Sequence, residues 1–231
     1  MGGSMAHRFA ETPPLPNPLI VPLGDQGLLV RFATTLSDEA NLATIAFAQQ
    51  LQERLPEGVT EIDPNLVSVL LKYDPRKVEF ERLAGEVRLL VGSGPKLKVR
   101  APRRHRIAVR FGGEGGPDLE EVAAALRLTP ESLVAAHNAR PLRVLTTGFA
   151  PGFVYCGFHP DELVVPRRTT VRASVAAGTL LFAAGQSAIT GTAIPTGWHV
   201  IGRTEFRNFH PEKDSPTTLR EGDELTFEAL P

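Results

Sequence analysis

The sequence predicts an α+β fold in two parts: a small ferredoxin-like unit over residues 18–100 and an all-β barrel or sandwich with short helices over residues 101–231. Three observations carry this. The first hundred residues run strand, helix, strand, strand, helix, strand, the order of a split βαβ unit. From Leu142 onward the chain is a series of short apolar runs broken by glycine and proline, the texture of a sandwich or small barrel. Between them, Ala101–Arg104 (APRR) reads as a linker.

Residues 1–17 read as a tag remnant (MGGS before Met5) and a proline-rich, disordered tail. Gly27–Phe32, GLLVRF, is the first strand. Ser37 offers a hydroxyl N-cap, and Asp38 and Glu39 suit the positive end of a helix dipole. Leu42, Ile45, Ala48, Leu51 and Leu55 then recur at three or four residues, giving one apolar face that Pro56 and Gly58 end. GVTEID and LVSVLLKY are the next two strands, joined at Asp63-Pro64-Asn65. In the second, Val67, Val69, Leu71 and Tyr73 share a face. The second helix spans Val78–Val91 with Phe80, Leu83, Val87 and Leu90 inward, and KLKVR after the Gly-Ser-Gly-Pro break is the last strand.

Beyond the linker, HRIAVRF alternates as a strand. GGEGGPDLEEVAAAL is a glycine loop entering a helix, and Thr129-Pro130-Glu131 starts another that ends near His137. LRVLTT, LVVP, TLLFAAG, HVIGRT and ELTFEAL are the remaining strand candidates.

Composition narrows the function. The 231 residues are 42% apolar and 22% charged with a net charge of -1, so bulk electrostatic binding to nucleic acid or membrane is not expected. One cysteine, Cys156, excludes an intrachain disulfide or a thiolate cluster, and a cytoplasmic protein is the expectation. No apolar run reaches the ~18 residues of a membrane span.

The glycine loop Gly112–Gly116 lacks the Lys-Ser/Thr ending of a phosphate loop. Asp118, Glu120 and Glu121 already occupy the helix start that would face a phosphate, so an ordinary turn is favoured. Cys156, beside Val154, Tyr155 and Phe158, reads as a buried apolar residue rather than a nucleophile. His137 either satisfies terminal carbonyls of its helix or serves a site. Trp198 reads as a barrel plug, and Gln186 says nothing alone. Arg167, Arg168 and Arg172 follow a Gly-Pro-aromatic segment of low freedom. In an extended chain Arg168 and Arg172 share a face and Arg167 points opposite. Two readings stand for them: an edge strand guarded by charge, or a site for an anion or a partner.

GDQGLLVRF, RHRIAVRFGGEGGPDLEEVA, GFAPGFVYCGF, PRRTTVR, AAGTLLFAAGQSAI, GWHVIGRT and REGDELTF, in this order over residues 17–231, resemble the 5-oxoprolinase B-subunit family. It is also known as the allophanate hydrolase subunit 1 or KipI family. The resemblance implies an α+β N-terminal part followed by a cyclophilin-like β-barrel. It implies work beside an allophanate hydrolase subunit 2-type protein (the 5-oxoprolinase C subunit) and beside an A subunit; together these open 5-oxo-L-proline to L-glutamate with ATP. ATP would be bound by or shared with a partner, and no metal is expected. A KipI-like inhibitor of a histidine kinase is the alternative. In the enzyme reading, Arg168 and Arg172 supply cations, Arg167 and Arg203 further ones, and His137 orients or deprotonates water. Phe149, Phe153 and Trp198 would form the apolar wall, Pro151 and Gly152 would also bind substrate, and Gln186 would hold an amide. Thr196, Val171, Thr190 and Cys156 depart from the residues this family usually carries.

Overall fold

The computed structural model describes residues 17–92 and 100–231. The first part contains β1 (Leu19–Pro22), β2 (Gly27–Arg31), α1 (Asp38–Glu53), β3 (Val59–Pro64), β4 (Ser68–Tyr73) and α2 (Phe80–Gly92). The strands form an antiparallel sheet in the order β1-β2-β4-β3. β2 and β3 flank β4 as a split βαβ unit requires. The place beside β2 is taken by β1, a hairpin neighbour paired from Leu19↔Arg31 to Pro22↔Leu28. Its run LIV follows a proline-rich leader whose composition hid the strand. The strand expected at Lys96–Arg100 lies outside the described residues except for Arg100, which is in no strand, and the expected tail lies outside them up to residue 16.

Ser37 caps α1 as expected, its Oγ accepting from the Ala40 amide at 3.2 Å. The burial of α1 is wider than one face. Ala40, Ala43, Phe47, Ala48 and Leu51 pack on the sheet with Val69, Leu71 and Val87. Ile45 is buried away from that cluster, 3.6 Å from where a Gly222 Cβ would sit, and Leu55 is exposed. The helix is thus sandwiched between its own sheet and the barrel, which the periodicity of one apolar stripe could not show. Asn41, fully buried, fixes this seam. Its Nδ2 donates to Leu66 O and Leu145 O, both at 2.9 Å. Arg143 pairs with Asp38 across the same seam, and Thr146 Oγ1 donates to Pro64 O at 3.1 Å.

The second part contains β5 (Arg104–Phe111), α3 (Leu119–Ala125), α4 (Pro130–His137), β6 (Leu142–Thr147), β7 (Val154–Gly157), β8 (Arg172–Val175), β9 (Thr179–Ala183), β10 (Gln186–Ile189), β11 (Ile194–Thr196), β12 (His199–Arg203) and β13 (Glu224–Ala229). Seven strands close a barrel in the order β10-β7-β6-β13-β5-β12-β9. A ring with an odd number of strands cannot alternate direction throughout, and the parallel pair is β5 with β13. LVVP, expected as a strand, is instead a 3-10 turn, Asp161–Leu163, followed by irregular chain. Pro166 has no N–H for a ladder, and Leu163 and Val165 are buried as plugs rather than paired.

Period-2 alternation sorts the barrel residues into two sets. Val154, Cys156, Leu180, Phe182, Ile189 and Ile201 fill the interior, closed by Leu119, Val122 and Leu133 of α3 and α4. Phe153, Leu181, Ala183, Ala188 and Val200 point outward and would be exposed. They are covered by the separate β8–β11 ribbon, through Ile194 and Val175, and by Trp198. This second, outer layer is where the aromatic and arginine motifs meet.

Candidate functional site

The GFAPGF segment, Gly148–Phe153, is a tight turn leading into β7. Gly148 N donates to Phe153 O at 3.1 Å and Phe153 N to Ala150 O at 3.0 Å. Gly152 has φ +70, and a Cβ there would lie 2.6 Å from Phe209 Cβ. Glycine is therefore required twice over, by backbone and by space. Gly152→Ala is expected to cost about 2 kcal/mol or more, read as a lowered Tm in thermal unfolding. An unchanged Tm would contradict the packing described. Asn208, 1% exposed, locks the same turn: Nδ2 donates to Gly152 O, and Oδ1 accepts from the Thr218 and Leu219 amides. Nothing in the motif itself signals Asn208, which lies more than fifty residues away.

The turn presents Phe149 at φ +74 and 74% exposed, a costly conformation for an aromatic residue and a costly exposure. From it an aromatic line runs along the outer barrel face. Phe149–Phe153 centroids are 5.5 Å apart, Phe153–Tyr155 4.7 Å and Tyr155–Trp198 5.9 Å. Arg167 ends the line, its guanidinium carbon 5.6 Å from the Trp198 ring centroid. Burial pushes the Tyr155 hydroxyl pKa up, while the Arg167 charge pulls it down.

Arg168 and Arg172 turn the other way and meet Asp118. Arg168 Nη1 donates to Asp118 Oδ1 at 3.0 Å and Arg172 Nη2 donates to the same oxygen. Asp118 Oδ2 accepts from the Val200 amide at 2.8 Å, and Arg168 N donates to Gly197 O at 2.7 Å. The acid that follows the glycine loop is thus an internal anion for the two arginines, fifty residues on in sequence. The pair is neither splayed into solvent nor free. It clamps the 165–172 segment so that Arg167 faces Trp198. Arg168 Nε and Arg172 Nε are buried without partners among the described residues.

His137 lies elsewhere, inside the barrel at 1% exposure. Its Nε2 and the Nε2 of His159 approach Ser187 Oγ at 2.7 and 2.9 Å, and its Nδ1 lies 2.7 Å from Asn138 Oδ1. The amide oxygen can only accept, so His137 Nδ1 carries the proton. Ser187 then donates to His137 Nε2, and His159 Nε2 donates to Ser187. Burial holds His137 near pKa 4; burial, the neighbouring His137 and the Arg140 charge hold His159 near 3, so both are neutral. Burial likewise pushes the Cys156 thiol far up, as an inert core residue. In the sequence His159 showed only a weak pairing with Cys156, three residues away, and Ser187 lay in none of the expected strands.

The remaining expected site residues do not join the aromatic line. Gln186 is buried at the start of β10 with its Nε2 unpartnered, its Cγ 3.7 Å from where a Gly157 Cβ would sit. Pro151 is exposed in the turn, its carbonyl packed on Gly191. Arg203 ends β12 beside Gly115 and Arg207. Phe149 and Tyr155 also line a cleft of about 820 Å³ between the barrel and the open sheet face of Leu29, Ile62 and Leu70. No group of three or more His, Cys, Asp or Glu suited to a metal occurs among the described residues. No helix among them is long and apolar enough to cross a membrane.

This α+β chain, a sheet unit joined to a seven-stranded closed barrel, matches the family model of the carboxyltransferase domain, subdomains C and D, over residues 18–219. Within it, the chain belongs to the family of 5-oxoprolinase B subunits. It is 32% identical over 215 residues to the 5-oxoprolinase B subunit of Bacillus subtilis (strain 168), covering 89% of this chain and 90% of that protein. It is 30% identical to the Haemophilus influenzae B subunit, over 90% and 96% of the two chains. The solved structure of TTHA0988 superposes with a TM-score of 0.77 at 33% identity over 89% of this chain. The chain spans only 40% of the length of TTHA0988.

Proposed function

We propose that the chain is the B subunit of an ATP-dependent 5-oxoprolinase, opening 5-oxo-L-proline to L-glutamate with the A and C subunits and inactive alone. The observation that carries this is the identity with proteins of that name across about nine-tenths of both chains.

The chemistry explains why one chain would not suffice. A lactam is a resonance-stabilised amide that water attacks slowly. Phosphorylation of its oxygen makes a better electrophile and a leaving group, and the site must supply cations and exclude water. The glycine loop of this chain does not fit a nucleotide. Asp118, at the helix start, already holds two arginines, and Glu120 and Glu121 follow it in a helix of seven residues. ATP is therefore assigned to a partner or to a surface shared with one. What this chain offers is the outer barrel face. Arg167 stands free of carboxylates among the described residues, beside Trp198 and Tyr155, and Phe149 projects into solvent where a partner would cover it. Arg168 and Arg172 position that face through Asp118. His137, sealed in the barrel, holds Ser187 and the strands around it.

Arg167→Ala and Trp198→Ala are expected to lower glutamate formation by the reconstituted three-part complex at least tenfold. Arg167→Ala should leave the Tm of the isolated chain nearly unchanged. Full activity in both variants would remove this face from the reaction.

A further inference from the structure

A second cavity, of about 540 Å³, opens between α1 and the barrel on the seam held by Asn41. That volume is in the range that takes small molecules, roughly 300 to 1,000 Å³. Its walls are apolar: Leu42 and Ile45 of α1, Pro141, and Phe158 after β7. Three charged groups on its lining are already matched or are acids. Arg143 is paired with Asp38, and Glu224 with Arg104 at 3.1 Å. Arg140 is different. Its Nη2 donates to Phe158 O at 2.6 Å, which fixes the guanidinium at the cavity, and it has no carboxylate partner among the described residues.

We infer that this cavity binds a small monocarboxylate carrying an N–H donor, with Arg140 as the carboxylate anchor. The planar fork of an arginine matches two carboxylate oxygens. One unpaired guanidinium balances one negative charge. Asp38 and Glu224 on the same lining disfavour a phosphate dianion, while their oxygens can accept from an N–H of the guest. The apolar wall suits the carbon skeleton. Arg140 also stands close enough to the interior histidines for its charge to help keep His159 neutral, so a bound carboxylate would be sensed there. The cavity involves none of the arginines or aromatic residues of the outer barrel face, and the inference holds whatever reaction that face serves.

The test is titration of the purified full chain, followed by amide chemical shifts, with 5-oxo-L-proline, L-glutamate and inorganic phosphate as probes. 5-oxo-L-proline, with one carboxylate and one N–H, is expected to shift the Leu42, Arg143 and Phe158 amides saturably at millimolar concentration, and L-glutamate, with two carboxylates, to bind more weakly. Arg140→Gln should weaken that binding at least tenfold. Arg140→Lys keeps the charge without the fork and should weaken it severalfold. Arg106→Gln, on the outer barrel surface, should leave it unchanged. Absence of saturable shifts at these amides, wild-type affinity in both Arg140 variants, or tighter binding of phosphate or L-glutamate than of 5-oxo-L-proline would overturn the assignment.

Discussion

Asp118→Ala is expected to lower the unfolding free energy by about 2 to 3 kcal/mol. The carboxylate is 3% exposed as a residue and accepts from two guanidinium groups and the Val200 amide. Removing it leaves Arg172 without a carboxylate among the described residues, Arg168 with only the exposed Glu121 at 3.4 Å, and an amide without its acceptor. The full cost of breaking a buried pair, about 3 to 5 kcal/mol, is not reached, because water still touches the arginines, whose side chains are 21% and 34% exposed. Asp118→Asn should fall between, since an amide oxygen can still accept from one donor. Urea unfolding reads the effect as a lower midpoint at constant slope. A shift under about 0.5 kcal/mol would show that the clamp is idle. Because the clamp sets Arg167 over Trp198, Asp118→Ala is also expected to reduce activity of the assembled complex.

Acid should weaken the fold well before the carboxylates titrate. His137 and His159 titrate near pH 4 and 3 in the folded chain and near 6.5 once unfolded. Between these values the unfolded state binds protons that the native state refuses. Stability is therefore complete above about pH 6.5 and falls as pH drops toward 3. For two such groups the loss between pH 6.5 and pH 4.5 is about 4 kcal/mol. His159→Gln removes one of the two groups and should roughly halve the slope. A pH-independent midpoint over that interval would mean that the imidazoles are not sealed in the barrel.

The local rules of the chain were readable: the Ser37 cap, the alternation of Val69, Leu71 and Tyr73, and the start of α4 at Thr129. Each depends on residues two to four apart. What was hidden depends on distant parts of the chain meeting. β1 was missed although Leu19-Ile20-Val21 is β-prone, because the proline-rich leader before it drew the reading toward a loop. Leu42 and Ile45 face the barrel because α1 serves two layers. The opposed directions of Arg167 and Arg168 followed from simple alternation, yet Asp118 as their anchor did not, since its nearest role was helix capping. His159 and Ser187 look ordinary in sequence and are joined only by barrel closure.

Phosphate release that depends on both ATP and 5-oxo-L-proline, measured for the purified chain alone, with either of its two partners and with both, tests most directly whether this polypeptide is one part of a shared catalyst. Turnover is expected only when all three proteins are present. Robust turnover by the lone chain, or full turnover by the two partners without it, would contradict that role.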